Sequence, residues 1–179
     1  MSGTTLLVID MLNAYQHEDA DALAESTAEI VEPVADLINR IRDRDGIDVI
    51  YVNDNYGDFS ATRETIVRQA LDGAHPELVK PIVPDTGWPF LQKVRHSAFY
   101  STSLDYLLSR QETRRIILTG QVTEQCILYS ALDAYVRHFD VTVPADAVAH
   151  IDAELGKAAL RMMERNMRAT VVAAVDCLG

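Results

Sequence analysis

The sequence predicts a three-layer, doubly wound α/β fold: a mostly parallel, six-stranded sheet with helices on both faces. Three observations lead there. Short apolar, β-branched runs alternate with longer segments of helical period across the chain. The strongest runs are apolar at every position, as in strands covered on both faces. No repeat, low-complexity tract or linker divides the 179 residues, so 1–179 reads as one domain, and 48% hydrophobic residues suffice for a single core.

The first strand is residues 5–9, Thr5-Leu6-Leu7-Val8-Ile9. A helix is expected from Pro33, a residue suited to the first helical position, with Val34, Leu37, Ile38 and Ile41 on one face and Gly46 placed to end it. Residues 48–52 form the second strand. The stretch 54–89 holds Gly57, Gly73, Gly87 and four prolines, with one helix near 61–71. Such a long irregular segment suits a lid or an oligomer contact. Residues 90–94 are the third strand, and Thr102 caps a helix over Leu104, Leu107 and Leu108. Residues 115–119 are a strong fourth strand, followed by a helix over 123–137. A fifth strand at 140–143, a helix at 152–166 and a sixth strand at 169–173 complete the chain. Such alternation implies right-handed crossovers, with ligands bound beyond the carboxyl ends of the strands.

Composition narrows the function. Lys+Arg 16 against Asp+Glu 27 gives a net charge of -11, which repels phosphate backbones and anionic headgroups. Neither a nucleic-acid nor a membrane partner is expected. Two cysteines, Cys126 and Cys177, are too few for a disulfide framework, and the five histidines are scattered without zinc spacing. The apolar run 6–9 is too short for a signal segment, so the expected setting is the cytoplasm, where a thiol serves catalysis or nothing.

The polar residues at the strand exits are few. Asp10 follows four apolar residues, and partial desolvation raises a carboxyl pKa unless a cation sits beside it. Lys93 lies in the apolar stretch Phe90-Leu91-Gln92-Lys93-Val94 and needs an anion if it points inward. Cys126 ends Gly120-Gln121-Val122-Thr123-Glu124-Gln125-Cys126, where a strong strand passes through glycine into a helix. There the helix dipole favours thiolate, and free amides can hold an oxyanion. Taken singly, each has an ordinary explanation: a turn residue, an outward-facing strand lysine, a small core residue. Together they stand at the exits of strands one, three and four, which the doubly wound order is expected to set side by side. A thiol that needs a base and a cation finds both.

These residues resemble the isochorismatase-like cysteine hydrolases, a family of nicotinamidases and of amidohydrolases acting on carbamoyl, ureido and biuret compounds. The resemblance covers nearly the whole chain. It is carried by Leu6-Leu7-Val8-Ile9-Asp10-Met11-Leu12-Asn13, Val49-Ile50-Tyr51-Val52-Asn53-Asp54-Asn55, Lys93-Val94-Arg95-His96-Ser97-Ala98-Phe99 and Leu118 through Cys126, continuing to Val143-Pro144-Ala145-Asp146-Ala147. It implies a Rossmann-like, isochorismatase-like fold and the roles of base for Asp10, assisting cation for Lys93 and nucleophile for Cys126. It further implies a cis peptide joining Gln121 to Val122, an oxyanion hole from the amides of Val122 and Cys126, no cofactor, and a homodimer or homotetramer. The implied reaction is hydrolysis of a non-peptide C–N bond in a small amide or carbamoyl substrate through a Cys126 thioester. Vinyl-ether hydrolysis with Asp10 as general acid, or a non-catalytic scaffold on the same fold, are the alternatives.

The chain departs from the family at three places. Leu12, Ala14 and Tyr15 replace the usual residues of the first block. Tyr56 stands where nicotinamidases carry a metal-binding histidine, so no metal is expected at Asp54, even with His75 nearby. No arginine is plainly placed to clamp a carboxylate, with Arg63, Arg68 and Arg95 the available ones. Tyr15, Asn55, Tyr56, Trp88 and Gln121 are the expected pocket residues, with Phe59 beside them, His96 at the rim and Phe99 in the core.

Overall fold

The structure, a computed structural model, describes residues 3–42 and 44–178. Strand β1 (Gly3–Ile9) is the centre of a wholly parallel sheet, paired with β2 (Ile47–Asp54) on one side and β4 (Thr113–Gln121) on the other. Strand β3 (Phe90–Lys93) lies outside β2, β5 (Asp140–Pro144) outside β4, and β7 (Thr170–Val172) at the far edge, in the order β3-β2-β1-β4-β5-β7. Both faces of β1 are covered. Leu6 and Val8 enter one core, under helix α1 (Ala20–Arg42), while Leu7 and Ile9 enter the other, with residues of α4 (Leu104–Arg110), α5 (Leu128–Val136) and α6 (Ala153–Met167). That is why β1 reads as continuously apolar.

The structure corrects the expected element list in three ways. The sheet has seven strands, because the two-residue β6 (Val148–Ala149) pairs with Gly120 and Gln121 at the end of β4. Two residues are too few to show a pattern, yet β6 takes over as β4's neighbour beyond the point where β5 pairing stops. Helix α1 begins at Ala20 rather than at Pro33, which sits inside it. A helix-interior proline costs about 3 kcal/mol. Here the buried stripe Leu23, Thr27, Ile30, Val34, Leu37 and Ile41 runs through both halves and outweighs that cost. Finally, β1 and β3 are not neighbours, since β2 lies between them.

The stretch after β2 is more ordered than its prolines suggest. It contains α2 (Arg63–Leu71) and the single turn α3 (Pro76–Val79). The Arg63 guanidinium donates to the carbonyls of Pro84, Asp85, Thr86 and Trp88, which staples the loop before β3. Thr102 accepts from the Leu104 amide at the start of α4, and Asp152 caps α6 through the amides of Glu154 and Leu155.

Candidate active site

At the carboxyl ends of β1, β2, β3 and β4 the chain buries a cluster of groups that sequence alone leaves apart. Asp10, the first residue past β1, adopts φ 53°, a left-handed conformation that aspartate tolerates better than most residues. Its amide donates to the Val52 carbonyl. Its own carbonyl accepts from Gln121 Nε2 at 2.7 Å. Carboxylate Oδ1 accepts from the Asp54 amide at 2.7 Å, and Oδ2 lies 2.8 Å from Lys93 Nζ.

Lys93 closes β3 directly beside Asp54 in the sheet register. It therefore stands two strand spacings, about 9–10 Å, from the line of β1, and its four-carbon stem spans the gap over β2. Trio formation thus depends on the reach of lysine, not on adjacent strands. Its side chain is fully buried. Nζ has three acceptors: Asp10 Oδ2, Asp54 Oδ2 at 3.4 Å and Cys126 Sγ at 3.6 Å. An ammonium has three N–H groups, so its capacity is filled. Burial opposes the charge, but Asp10, Cys126 and Asp54 together outweigh it and hold the pKa above the usual lysine range.

Cys126 stands in a π-helical turn, Thr123–Ile127, that precedes α5. The amides of Gln125 and Ile127 both donate to the Val122 carbonyl. The Gln121–Val122 peptide is cis. Gly120 precedes it with φ 112°, and a Cβ there would overlap the Ile9 carbonyl oxygen. Only glycine lets β4 pass this close to the end of β1.

The electrostatics revise one expectation. Burial pushes the Cys126 thiol up to about 12, with the Asp10 charge adding to it and Lys93 opposing. The dipole of a short π turn does not overcome that desolvation, so the resting sulfur is a thiol rather than a thiolate. Burial also raises the Asp10 carboxyl, while Lys93, the Cys126 thiol and the Asp54 amide pull it back. The Lys93 ammonium at 2.8 Å and the Asp54 amide at 2.7 Å are the groups that favour the ionised form of Asp10 against its burial.

The expected pocket residues divide. Gln121 is fully buried and acts as a brace: Oε1 accepts from Thr27 Oγ1 at 2.8 Å and from the Tyr15 hydroxyl at 3.4 Å. Tyr15 is buried with it, edge-on to His75 at 5.6 Å. Asn55 shapes a turn, with Oδ1 accepting from the Gly57 amide. All three are buried and hydrogen-bonded within the walls around the cluster. Tyr56 is half exposed, while its hydroxyl reaches inward to the Leu12 carbonyl at 3.0 Å. Trp88 is misplaced by the expectation. It precedes β3, at the opposite end of the sheet from Lys93, stacked on Tyr51 at 6.2 Å with Arg42 over its ring. A parallel strand puts its first and last residues at opposite poles, and Trp88 belongs to the wrong one.

Asn53, a polar residue at the exit of strand two to which the sequence assigns no role, has a side chain that accepts from the Leu12 amide and donates to the Leu12 carbonyl. A buried amide at the end of an apolar strand was the available signal. Glu124, in the exit segment of strand four, has no role assigned from sequence either. Oε1 accepts from the amides of Ile151 and Asp152, tying the Cys126 turn to the loop after β6. Among the described residues no group of three or more His, Cys, Asp and Glu side chains is arranged to hold a metal, and no helix is long and apolar enough to cross a membrane.

An open parallel α/β sheet with a carboxylate, a lysine and a thiol converging at its strand exits defines the class. Residues 4–176 match the model of the isochorismatase domain, and the chain belongs to the isochorismatase family. It is 34% identical to the isochorismatase family protein YaaI of Bacillus subtilis, over 93% of this chain and 91% of that protein. It is 30% identical to a maleamate amidohydrolase of Pseudomonas putida, over 80% of this chain and 70% of the relative. The fold superposes on N-carbamoylsarcosine amidase from Thermoplasma acidophilum with TM-score 0.77 and 27% identity, covering 99% of both chains.

Proposed function

We propose that the protein hydrolyses a C–N bond, other than a peptide bond, in a small amide or carbamoyl compound through a thioester on Cys126. One observation carries this reading: a buried ammonium that touches both a carboxylate, at 2.8 Å, and a thiol, at 3.6 Å. Its amidohydrolase relatives support it.

The chemistry follows from the resting protonation. Cys126 starts as a thiol, so Asp10 takes its proton as the sulfur attacks the carbonyl carbon. Charge then builds on the carbonyl oxygen, which the amides of Val122 and Cys126 receive as an oxyanion hole. Collapse expels the amine, which leaves with the proton held by Asp10, and the carbonyl carbon stays bonded to sulfur. Water then attacks the thioester and gives its proton to Asp10. The acid departs, and that proton returns to the sulfur. Throughout, Lys93 stabilises Asp10 as an anion between proton transfers and lowers the cost of negative charge on Cys126. No step needs a metal, and none is assigned to Asp54, whose second oxygen is committed to Lys93.

The reading includes a homodimer or homotetramer working in the cytoplasm. A stripe of Tyr129, Leu132 and Val136 on the outer face of α5 leaves apolar surface exposed, and supports a partner there.

The test is ammonia release from a panel of small amides, read alongside intact mass of acid-quenched enzyme. An acyl adduct on Cys126 is expected, and Cys126→Ala and Asp10→Asn should each lose roughly 1,000-fold or more in kcat/KM. Full turnover by Cys126→Ala, or product without ammonia, would overturn the proposal and favour vinyl-ether hydrolysis.

A further inference from the structure

We infer that the cavity between the β1 exit and α2 receives the non-reacting end of the substrate, and that this end carries no charge. The inference rests on the hydrolase reading above and names the substrate class for the same site.

The cavity holds about 470 Å³, within the range of small-molecule sites. Leu12, Ile66, Ala70 and the ring of Tyr56 supply its apolar walls. Its polar lining is mostly amide, represented by Gln69, with one imidazole, His17, and one carboxylate, Asp72. Among the described lining residues there is no lysine or arginine. A carboxylate entering here meets Asp72 and finds no fixed cation, whereas a neutral group finds apolar surface and amides that both donate and accept.

Two residues join the cavity to the chemistry. Leu12 is two positions past Asp10, and its main chain is clamped on both sides by Asn53. The Tyr56 hydroxyl donates to the same Leu12 carbonyl. Tyr56 thus lines the cavity and is bonded to the main chain two residues past Asp10. Lys93 offers no help to an anionic substrate, because its three N–H groups are already taken. Relatives named for maleamate and N-carbamoylsarcosine handle substrates that carry a carboxylate; this cavity is built for a different one.

The experiment compares two probes that differ by one charge, benzamide and 4-carbamoylbenzoate. Binding is measured by titration calorimetry or ligand-observed NMR on Cys126→Ala, or on Cys126→Ser should the first not fold. Benzamide should bind roughly tenfold tighter. The side chain of Gln69 is exposed on α2, so Gln69→Lys should leave the fold intact. The added cation should cut the preference roughly fivefold, the scale of one partly exposed charge pair. Equal binding, preference for the anion (as an Arg95 clamp at the rim gives), binding of neither probe, or an unchanged ratio in Gln69→Lys overturns the inference. Failure of the hydrolase reading shows elsewhere: wild-type enzyme forms no acyl adduct and releases no ammonia, while the binding preference still reads the cavity.

Discussion

Replacing Lys93 with methionine keeps the buried stem and removes the charge. It strands Asp10, 7% exposed, and Asp54 without their shared cation. Breaking a buried ion pair by deleting one partner costs about 3–5 kcal/mol, because the other charge is left uncompensated. Asp10 can escape part of that cost by taking up a proton, and this gives the variant a pH signature. Its folded pKa, already raised by burial, rises further once Lys93 no longer opposes burial. A carboxyl with a raised folded pKa binds protons more tightly folded than unfolded. Stability of the variant therefore falls as pH climbs from the ordinary value of 3.8 toward the raised one, by about 1.4 kcal/mol per unit for one proton. In the wild type, the raised pKa of Lys93 contributes stability that is complete below the ordinary 10.5 and lost only above it. The Lys93 contribution is thus constant across neutral pH, and the gap between the two proteins widens upward. Urea unfolding from pH 5 to 9, followed by fluorescence of the single tryptophan, measures that gap. Asp10→Asn/Lys93→Met should recover most of the loss. A gap below about 1 kcal/mol, or one independent of pH, would refute the buried-network reasoning.

The thiol supplies a second, less intuitive prediction. Because Asp10 raises the Cys126 pKa and Lys93 lowers it, Asp10→Asn should speed iodoacetamide labelling of Cys126 at pH 7.5 by about threefold or more while abolishing turnover. Lys93→Met should slow it, and Cys177, read by mass spectrometry in the same digest, should not change; slower labelling in Asp10→Asn contradicts the assignment. Gly120→Ala combines a positive φ with overlap onto the Ile9 carbonyl, and should cost more than about 2 kcal/mol in thermal or urea unfolding. Gln121→Leu leaves the Asp10 carbonyl and the Tyr15 hydroxyl without this partner, while the Thr27 hydroxyl keeps the Leu23 carbonyl. It should lose about 1–3 kcal/mol of stability, with a full-stability variant showing that water replaces the brace.

The parallel core was readable because β1 and β4 are apolar at successive positions, and only burial on both faces makes that pattern. Asp10 could be picked out because it interrupts such a run at a strand exit, and Cys126 because it follows the glycine through which a strong strand passes into a helix. Trp88 could not be placed the same way: aromatic type says nothing about which pole of a strand it occupies. Helix α1 was half seen, since Pro33 is a local signal of a helix start. The stripe of Leu23, Thr27 and Ile30 continues through it only because one face packs on the sheet.

By itself, the sequence determined the alternation of strands and helices and singled out three candidate residues for chemistry, since these depend on local pattern and residue type. Tertiary structure alone decided that β2 separates β1 from β3, so that a lysine stem must bridge two strand spacings to bring the ammonium to Asp10. It also decided the protonation. Whether a buried thiol, carboxyl and amine rest charged or neutral depends on desolvation and on distances of a few ångströms between residues 33 to 116 positions apart, and no local pattern carries that information.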